Sequence, residues 1–426
     1  MTLSWFQIFR LGFVQMALGA IVVLTTSTLN RLMVVELSLP AILPGLLVGL
    51  HYGIQLTRPH WGFYSDTGGH RTRWIIGGMV ALALGAFTAA CGVLLFEQSF
   101  AHGLTVSIIA YTLIGLGVGA SGTSLLALLA TTTAPHRRAA AATITWLMMI
   151  FGIAATAGMV GQFIDPYSPQ LLIKIVAIVV TTATAVTCLA VWRIERNLIA
   201  IREPDPTPFM EGLREVWSER KARNFTIFVF LSMTAYFMQE LILEPYAGLV
   251  FDFTPGESTS LSGAQNGGVF LGTLSVGILA TGFKVGALRN WVMAGCVGSA
   301  GALALITFLG PMGPGAPLMP AVVLLGFFNG MFAVAAIGSM MALAGQGRGQ
   351  REGTRMGLWG AAQAIAAGFG GLIGAAMVDV LRTSMTDTQA FGSVFIAEAA
   401  HFIAATAMAA KLMDRKPMST TLVPGE

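Results

Sequence analysis

RPHWGFYSDTGGHRTRW, residues 58–74, is a polar island between two long apolar runs. Its glycines permit a tight turn, and Arg58, Arg71 and Arg73 place positive charge on both flanks. Flanking runs of this kind predict two membrane-spanning helices joined by a short basic loop. The whole chain repeats that pattern. Of 426 residues, 55% are hydrophobic and only 10% are charged, and the mean hydropathy is +0.74. A soluble protein of this size needs far more polar surface. The net charge of +4 comes from short basic clusters between apolar runs, which argues against nucleic acid as a partner and for lipid as the solvent.

At about 20 residues per span, apolar helices are predicted near 11–35, 40–58, 74–96, 104–132, 139–161 and 170–192, and again near 224–248, 264–283, 290–309, 318–344, 356–380 and 390–412. The expected organisation is an N-terminal six-helix bundle (1–192), a linker (193–223), a C-terminal six-helix bundle (224–412) and a tail (413–426). Placing Arg10 in the cytoplasm puts all but Arg31, Lys174 and Arg382 of the 24 basic residues on that side. Both termini are therefore expected to be cytoplasmic, with the first helix as its own insertion signal. The halves repeat: Gly115, Gly119 and Arg137 recur 211 residues later as Gly326, Gly330 and Arg348, and Gly69 and Trp74 recur as Gly286 and Trp291. In the linker, Phe209, Leu213, Val216 and Trp217 share one face of a short amphipathic helix, read either as a membrane-surface helix or as a tether.

Gly62, Asp66, Gly69, Arg71 and Arg73 match, at the right place in the topology, the loop signature of the major facilitator superfamily. The fold class that this implies is all-α, about twelve transmembrane helices in two parallel six-helix halves. In such a loop Asp66 is expected to meet a helix N-terminus or an arginine, and Arg71 and Arg73 anionic headgroups. Gly117, Gly119 and Gly122 satisfy the dinucleotide pattern G-x-G-x-x-G but lie inside a predicted helix with no strand before it, so they read as close-packing residues. Cys91, Cys188 and Cys296 lie in separate apolar runs and read as packing residues.

Polar residues inside apolar spans are costly and therefore informative. Asn30 and Arg31 in helix 1 fall at nearly the depth of Gln239, Glu240 and Glu244 in helix 7, with Glu36 nearby. An ion pair from Arg31 to Glu240 or Glu244, which share a face at i, i+4, is expected as an outer gate or ligand-orienting site; snorkelling to the interface is the other reading. In helix 2, His51 lies near mid-bilayer with Gln55 one turn on. A single neutral imidazole suits the axial position of a magnesium tetrapyrrole and not zinc, which wants several protein ligands; a hydrogen bond within the bundle is the alternative. Glu398 and His401 stand i, i+3 in helix 12, a peripheral position at which the pair faces lipid unless a pigment, a partner or a neighbouring helix covers it. No directly bound metal ion is expected beyond pigment magnesium at His51 or His401.

The stretch from Thr28 to Met79, and MQELILEPYAGLVF at helix 7 (238–251), resemble the PucC-type family of bacteriochlorophyll delivery and light-harvesting assembly proteins. The likeness is specific at Asn30 to Glu36, at RPHWG leading into SD-x-GG-x-R-x-x-W, and at Glu244-Pro245-Tyr246. It implies a non-enzymatic assembly factor in the bacterial inner, intracytoplasmic photosynthetic membrane. The implied cofactor is bacteriochlorophyll or a late precursor. The implied partners are light-harvesting or reaction-centre apoproteins, a bacteriochlorophyll-synthesis enzyme and membrane lipid. A proton-coupled secondary transporter is the competing class, with Glu240, Glu244 and Arg31 as its coupling residues. No nucleophile-base set or phosphate loop supports an enzyme.

Overall fold

The computed structural model describes residues 3–58, 61, 70–134, 138–195, 214, 217–283, 285–344 and 352–413. Among them the chain is all-helical. The helices are α1 (Trp5–Glu36), α2 (Ile42–Ile54, extended by a 3-10 turn Gln55–Thr57), α3 (Arg71–Phe96), α4 (Phe100–Thr132), α5 (Arg138–Phe163), α6 (Pro169–Val191), α7 (Arg220–Phe251), α8 (Pro255–Val276), α9 (Leu288–Leu309), α10 (Leu318–Ala344), α11 (Glu352–Arg382) and α12 (Asp387–Leu412). Ten of these described helices are long and apolar enough to cross a membrane; this is a multi-pass membrane protein. The two others depart for different reasons, α2 because it is short and α8 because it is polar. Gly62, Asp66, Gly69, Arg137 and Arg348, and the predicted linker helix apart from Arg214 and Trp217–Arg220, lie outside the described residues.

The polarity of α8 explains why its start falls at Pro255 and not near 264. The segment PGESTSLSG reads as loop by composition, yet Thr254 accepts from the Glu257 amide in a capping box, and Pro255 occupies the first turn. Buried Ser258, Thr259 and Ser262 then continue the helix against other helices. α1 starts earlier than predicted, at Trp5, where Ser4 and Gln7 cap each other reciprocally. Two π-helical turns, Leu24–Thr28 and Leu32–Glu36, interrupt it. At the first, Thr25 Oγ1 donates to the Val22 carbonyl at 2.8 Å and competes with the regular ladder. α7 breaks between Met238 and Leu243. Pro245 has no N–H to give to the Leu241 carbonyl, and the ladder lapses there.

Two hydrophobic cores form, one chiefly from residues 3–194 and one chiefly from 225–413. Glycines set the closest helix approaches. A Cβ at Gly115 of α4 would lie 2.8 Å from the His51 carbonyl of α2, and one at Gly326 of α10 would fall on the Gln265 carbonyl of α8. The 211-residue repeat therefore has a packing counterpart: α4 sits on α2 as α10 sits on α8. Gly286 takes φ +74°, and next to it the Trp291 indole donates to the Val285 carbonyl at 2.9 Å, which gives the repeated Gly–Trp pair a turn-closing role.

Candidate functional site

The two bundles meet along a polar seam at the end of the helices remote from Arg71. Asn30, fully buried, donates through Nδ2 to the Leu241 carbonyl at 2.9 Å, the same carbonyl that Pro245 leaves without a helical partner. Arg31, 2% exposed, donates through Nε to Ser258 Oγ at 3.3 Å and through Nη2 to the Phe253 carbonyl at 2.7 Å. Its ion pair is with Glu36 of its own helix. The expected pair to Glu240 or Glu244 is not formed. The π-helical turn at Leu32–Glu36 brings Glu36 within reach of Arg31, and the break in α7 turns the two other acids apart. Glu240 is half-buried within electrostatic reach of Tyr52 and Tyr236. Glu244, 1% exposed, accepts from Ser262 Oγ. Ser27 Oγ donates to Ser262 Oγ at 2.9 Å, and the Thr28 and Thr259 hydroxyls meet at 3.3 Å. Glu244 Oε2 and Gln239 Oε1 are buried without a partner among the described residues.

Two aspartates that the sequence reading passed over fasten this seam. Asp379 of α11 accepts from the amides of Ala41 (3.0 Å) and Ile42 (2.6 Å), capping α2 across the bundle boundary. Asp165, just after α5, accepts from the Gly256 amide (3.1 Å) and the Thr254 hydroxyl, capping α8 across the same boundary. Each carboxylate sits where unpaired helix N–H groups and the positive end of the dipole favour an anion. The arrangement is two-fold: Asp165 and Asp379 stand 214 residues apart, as do Ile42 and Gly256. That shared offset, together with the repeat, is the signal that would have found them.

In α2, His51 and Gln55 do share a face, and the chain of bonds runs on to Arg58. Arg58 Nη2 donates to Gln55 Oε1, and Gln55 Nε2 stands 2.9 Å from His51 Nε2. A guanidinium only donates, so the amide orientation is fixed and His51 Nε2 is the acceptor. The proton then sits on Nδ1, which is buried without a partner among the described residues. Glu398 and His401 are not a pair. Glu398 turns into the C-terminal bundle, fully buried, while His401 is half-exposed and its Nδ1 lies 2.8 Å from the Ala397 carbonyl.

At the opposite end, the Arg71 side chain donates to the Ala127 carbonyl at 2.9 Å and so turns into the bundle, not toward headgroups. Arg73 is exposed. Glu195, past the end of α6, accepts from the amides of Arg71 and Thr72, each at 3.0 Å, and from the Thr72 hydroxyl at 2.7 Å. It caps α3, a role nothing in the local sequence announced.

The family model described as PUCC protein matches residues 28–417. The chain belongs to the PucC family. The family is one of photosynthetic-complex and bacteriochlorophyll-related function. This PucC-family chain is 66% identical over 410 residues, 96% of each protein, to the bacteriochlorophyll synthase 44.5 kDa chain of Rhodobacter capsulatus. It is 31% identical over 403 residues, 91% of this chain and 86% of the relative, to protein PucC of Cereibacter sphaeroides. Among solved structures, the peptide transporter POT in complex with sulfate aligns with a TM-score of 0.73 at 14% identity, covering 96% of each chain. The nucleoside transporter NupG aligns with a TM-score of 0.68 at 14% identity, covering 96% of this chain and 99% of that one. The likeness shows the fold, which is that of the major facilitator superfamily.

Proposed function

We propose that this PucC-family protein is a non-enzymatic assembly factor that holds or delivers bacteriochlorophyll, or a late precursor, to light-harvesting or reaction-centre apoproteins. Its place in this reading is the bacterial inner, photosynthetic membrane, with both termini in the cytoplasm. The observation that carries the reading is family membership over 28–417 together with 66% identity to a chain whose name ties it to bacteriochlorophyll synthesis. We take the word synthase in that name as a sign of association with a pigment-synthesis enzyme. The geometry is consistent: at the sealed end, Arg31 spends its charge on a neighbour in its own helix, and the bundles are joined there mainly by hydroxyls and helix caps.

Proton-coupled transport is the second reading, favoured by the facilitator fold and by Glu244, a buried acid on the seam with one oxygen unpartnered among the described residues. One experiment separates the two. The protein is purified in mild detergent from a bacteriochlorophyll-making host, and its absorption spectrum and co-purifying chains are recorded. Near-infrared pigment bands together with photosynthetic apoproteins or a pigment-synthesis enzyme are the expected result. A colourless protein that concentrates a solute against a proton gradient in vesicles would sink the assembly reading.

A further inference from the structure

His51 and His401 are the histidines in mid-helix among the described residues; their hydrogen bonds give both the Nδ1-protonated tautomer, but only one of them keeps a free Nε2 lone pair. At His51 the Nε2 lone pair is taken by the Gln55 amide and Nδ1 carries the proton, so neither nitrogen can bind a metal. At His401, Nδ1 faces the Ala397 carbonyl at 2.8 Å. A carbonyl only accepts, so the proton is on Nδ1, and Nε2 of the neutral ring carries a free lone pair. Nothing among the described residues donates to it.

The surroundings of that lone pair narrow its use. His401 stands 14 residues from Asp387 and 11 from Leu412, the ends of α12, and thus about 21 Å and about 16 Å from them at about 1.5 Å per residue. That is the middle of the bilayer, where water is scarce. The ring is half-buried at the edge of the outer face of the helix, a face that carries exposed Ala404 and Ala400 and, farther round, Ile396 and Ile403, 48% and 49% exposed. Alanines at 400 and 404 leave a flat apolar strip next to the imidazole. Glu398, the acid nearest in sequence, lies one turn back toward the bundle and is fully buried, out of reach of a ligand on the membrane face. A single neutral nitrogen above a flat apolar surface does not suit zinc, which needs a set of ligands. It suits a planar magnesium centre that takes one axial nitrogen and lays its macrocycle against hydrocarbon. The backbone bond to Nδ1 both orients the ring and raises the basicity of Nε2, as outer-shell partners of ligating histidines do.

We propose that His401 Nε2 is the axial ligand for a magnesium tetrapyrrole that rests on the membrane face of α12 beside Ala400 and Ala404. The proposal rests on the pigment-handling reading above and assigns it a ligand, a face and a tautomer. In the test, protein in lipid nanodiscs is offered equal amounts of bacteriochlorophyll a and its magnesium-free form, bacteriopheophytin a, and the retained ratio is read by absorption. The wild type is expected to favour the magnesium pigment by about tenfold, the scale on which a metal ligand's environment acts. His401→Leu should abolish that preference, and so should His401→Asn, which keeps a polar side chain on the helix should leucine disturb folding. His401→Gly should regain the preference when imidazole is added, and His102→Leu should keep it. A wild-type ratio in folded His401→Leu and His401→Asn would overturn the ligand assignment alone, as would wild-type protein that retains both pigments equally. Wild-type protein that retains neither pigment would overturn the pigment-handling reading together with it.

Discussion

Asn30 shows how one side chain can decide a helix crossing. Pro245 cannot donate to the Leu241 carbonyl, and a buried carbonyl without a donor is expensive, so the amide of Asn30 supplies the bond from the other bundle at 2.9 Å. Asn30→Leu and Asn30→Asp should both destabilise the protein, by about 1–3 kcal/mol, because neither side chain can donate in its ionised or apolar form. Thermal unfolding in detergent checks this, and an unchanged midpoint in both variants would remove Asn30 from the seam. At this scale the sequence was legible in part. Depth counting brings Asn30, Arg31, Gln239, Glu240 and Glu244 to nearly one level, but pairing depends on azimuth. The π-helical turns of α1 and the break in α7 rotate Arg31 toward Glu36 and α8 and separate Glu240 from Glu244. A periodicity of 3.6 assumes an unbroken helix, and Pro245 was the available warning. For His51 and His401 the residue types were readable, whereas the tautomers needed Gln55, Arg58 and the Ala397 carbonyl in place.

Among the helices, the seam is fastened by the reciprocal caps of Asp165 on α8 and Asp379 on α2. Each aspartate belongs to one bundle and each capped helix to the other, so both bonds must break for the sealed end to part. Loss of a helix cap costs about 1 kcal/mol, and distant caps contribute nearly independently. Asp165→Ala and Asp379→Ala should therefore each raise the population parted at this end about fivefold, and the double variant about thirtyfold. The readout is the labelling rate of a cysteine placed at Ser262 by a membrane-impermeant maleimide; equal rates in all four proteins would show that the caps do not hold the seam. Composition hides the start of α8, because Ser, Thr and Gly are common in loops. In this interface their small size and hydroxyls allow α5 and α10 to approach, and a Cβ at Gly263 would lie 2.6 Å from the Gly158 amide nitrogen.

For the whole molecule, the hydropathy pattern and the 211-residue repeat carried the twelve-helix facilitator fold, because both are set by the lipid solvent and by close packing and not by any single contact. Charge distribution extends the argument to orientation. Arg10, Arg71, Arg73, Arg193, Arg289 and Lys411 gather at the end that also holds the capping Glu195, and several are tied to backbone carbonyls there, Arg10 to Ala190 at 2.7 Å and Arg289 to Ala410 at 3.0 Å. At the other end, Arg31 and Arg382 are each spent on an acid, Glu36 and Asp387. From the positive-inside bias we predict that the seam and its two aspartate caps lie on the non-cytoplasmic side. A fluorescent protein fused after Glu426 should fluoresce, and alkaline phosphatase inserted between Ser384 and Met385, in the turn joining α11 to α12, should be active. The reverse pattern would invert the molecule and put the sealed end toward the cytoplasm. In either orientation His401 keeps its mid-bilayer depth, so the pigment-ratio experiment and the topology experiment test separate claims.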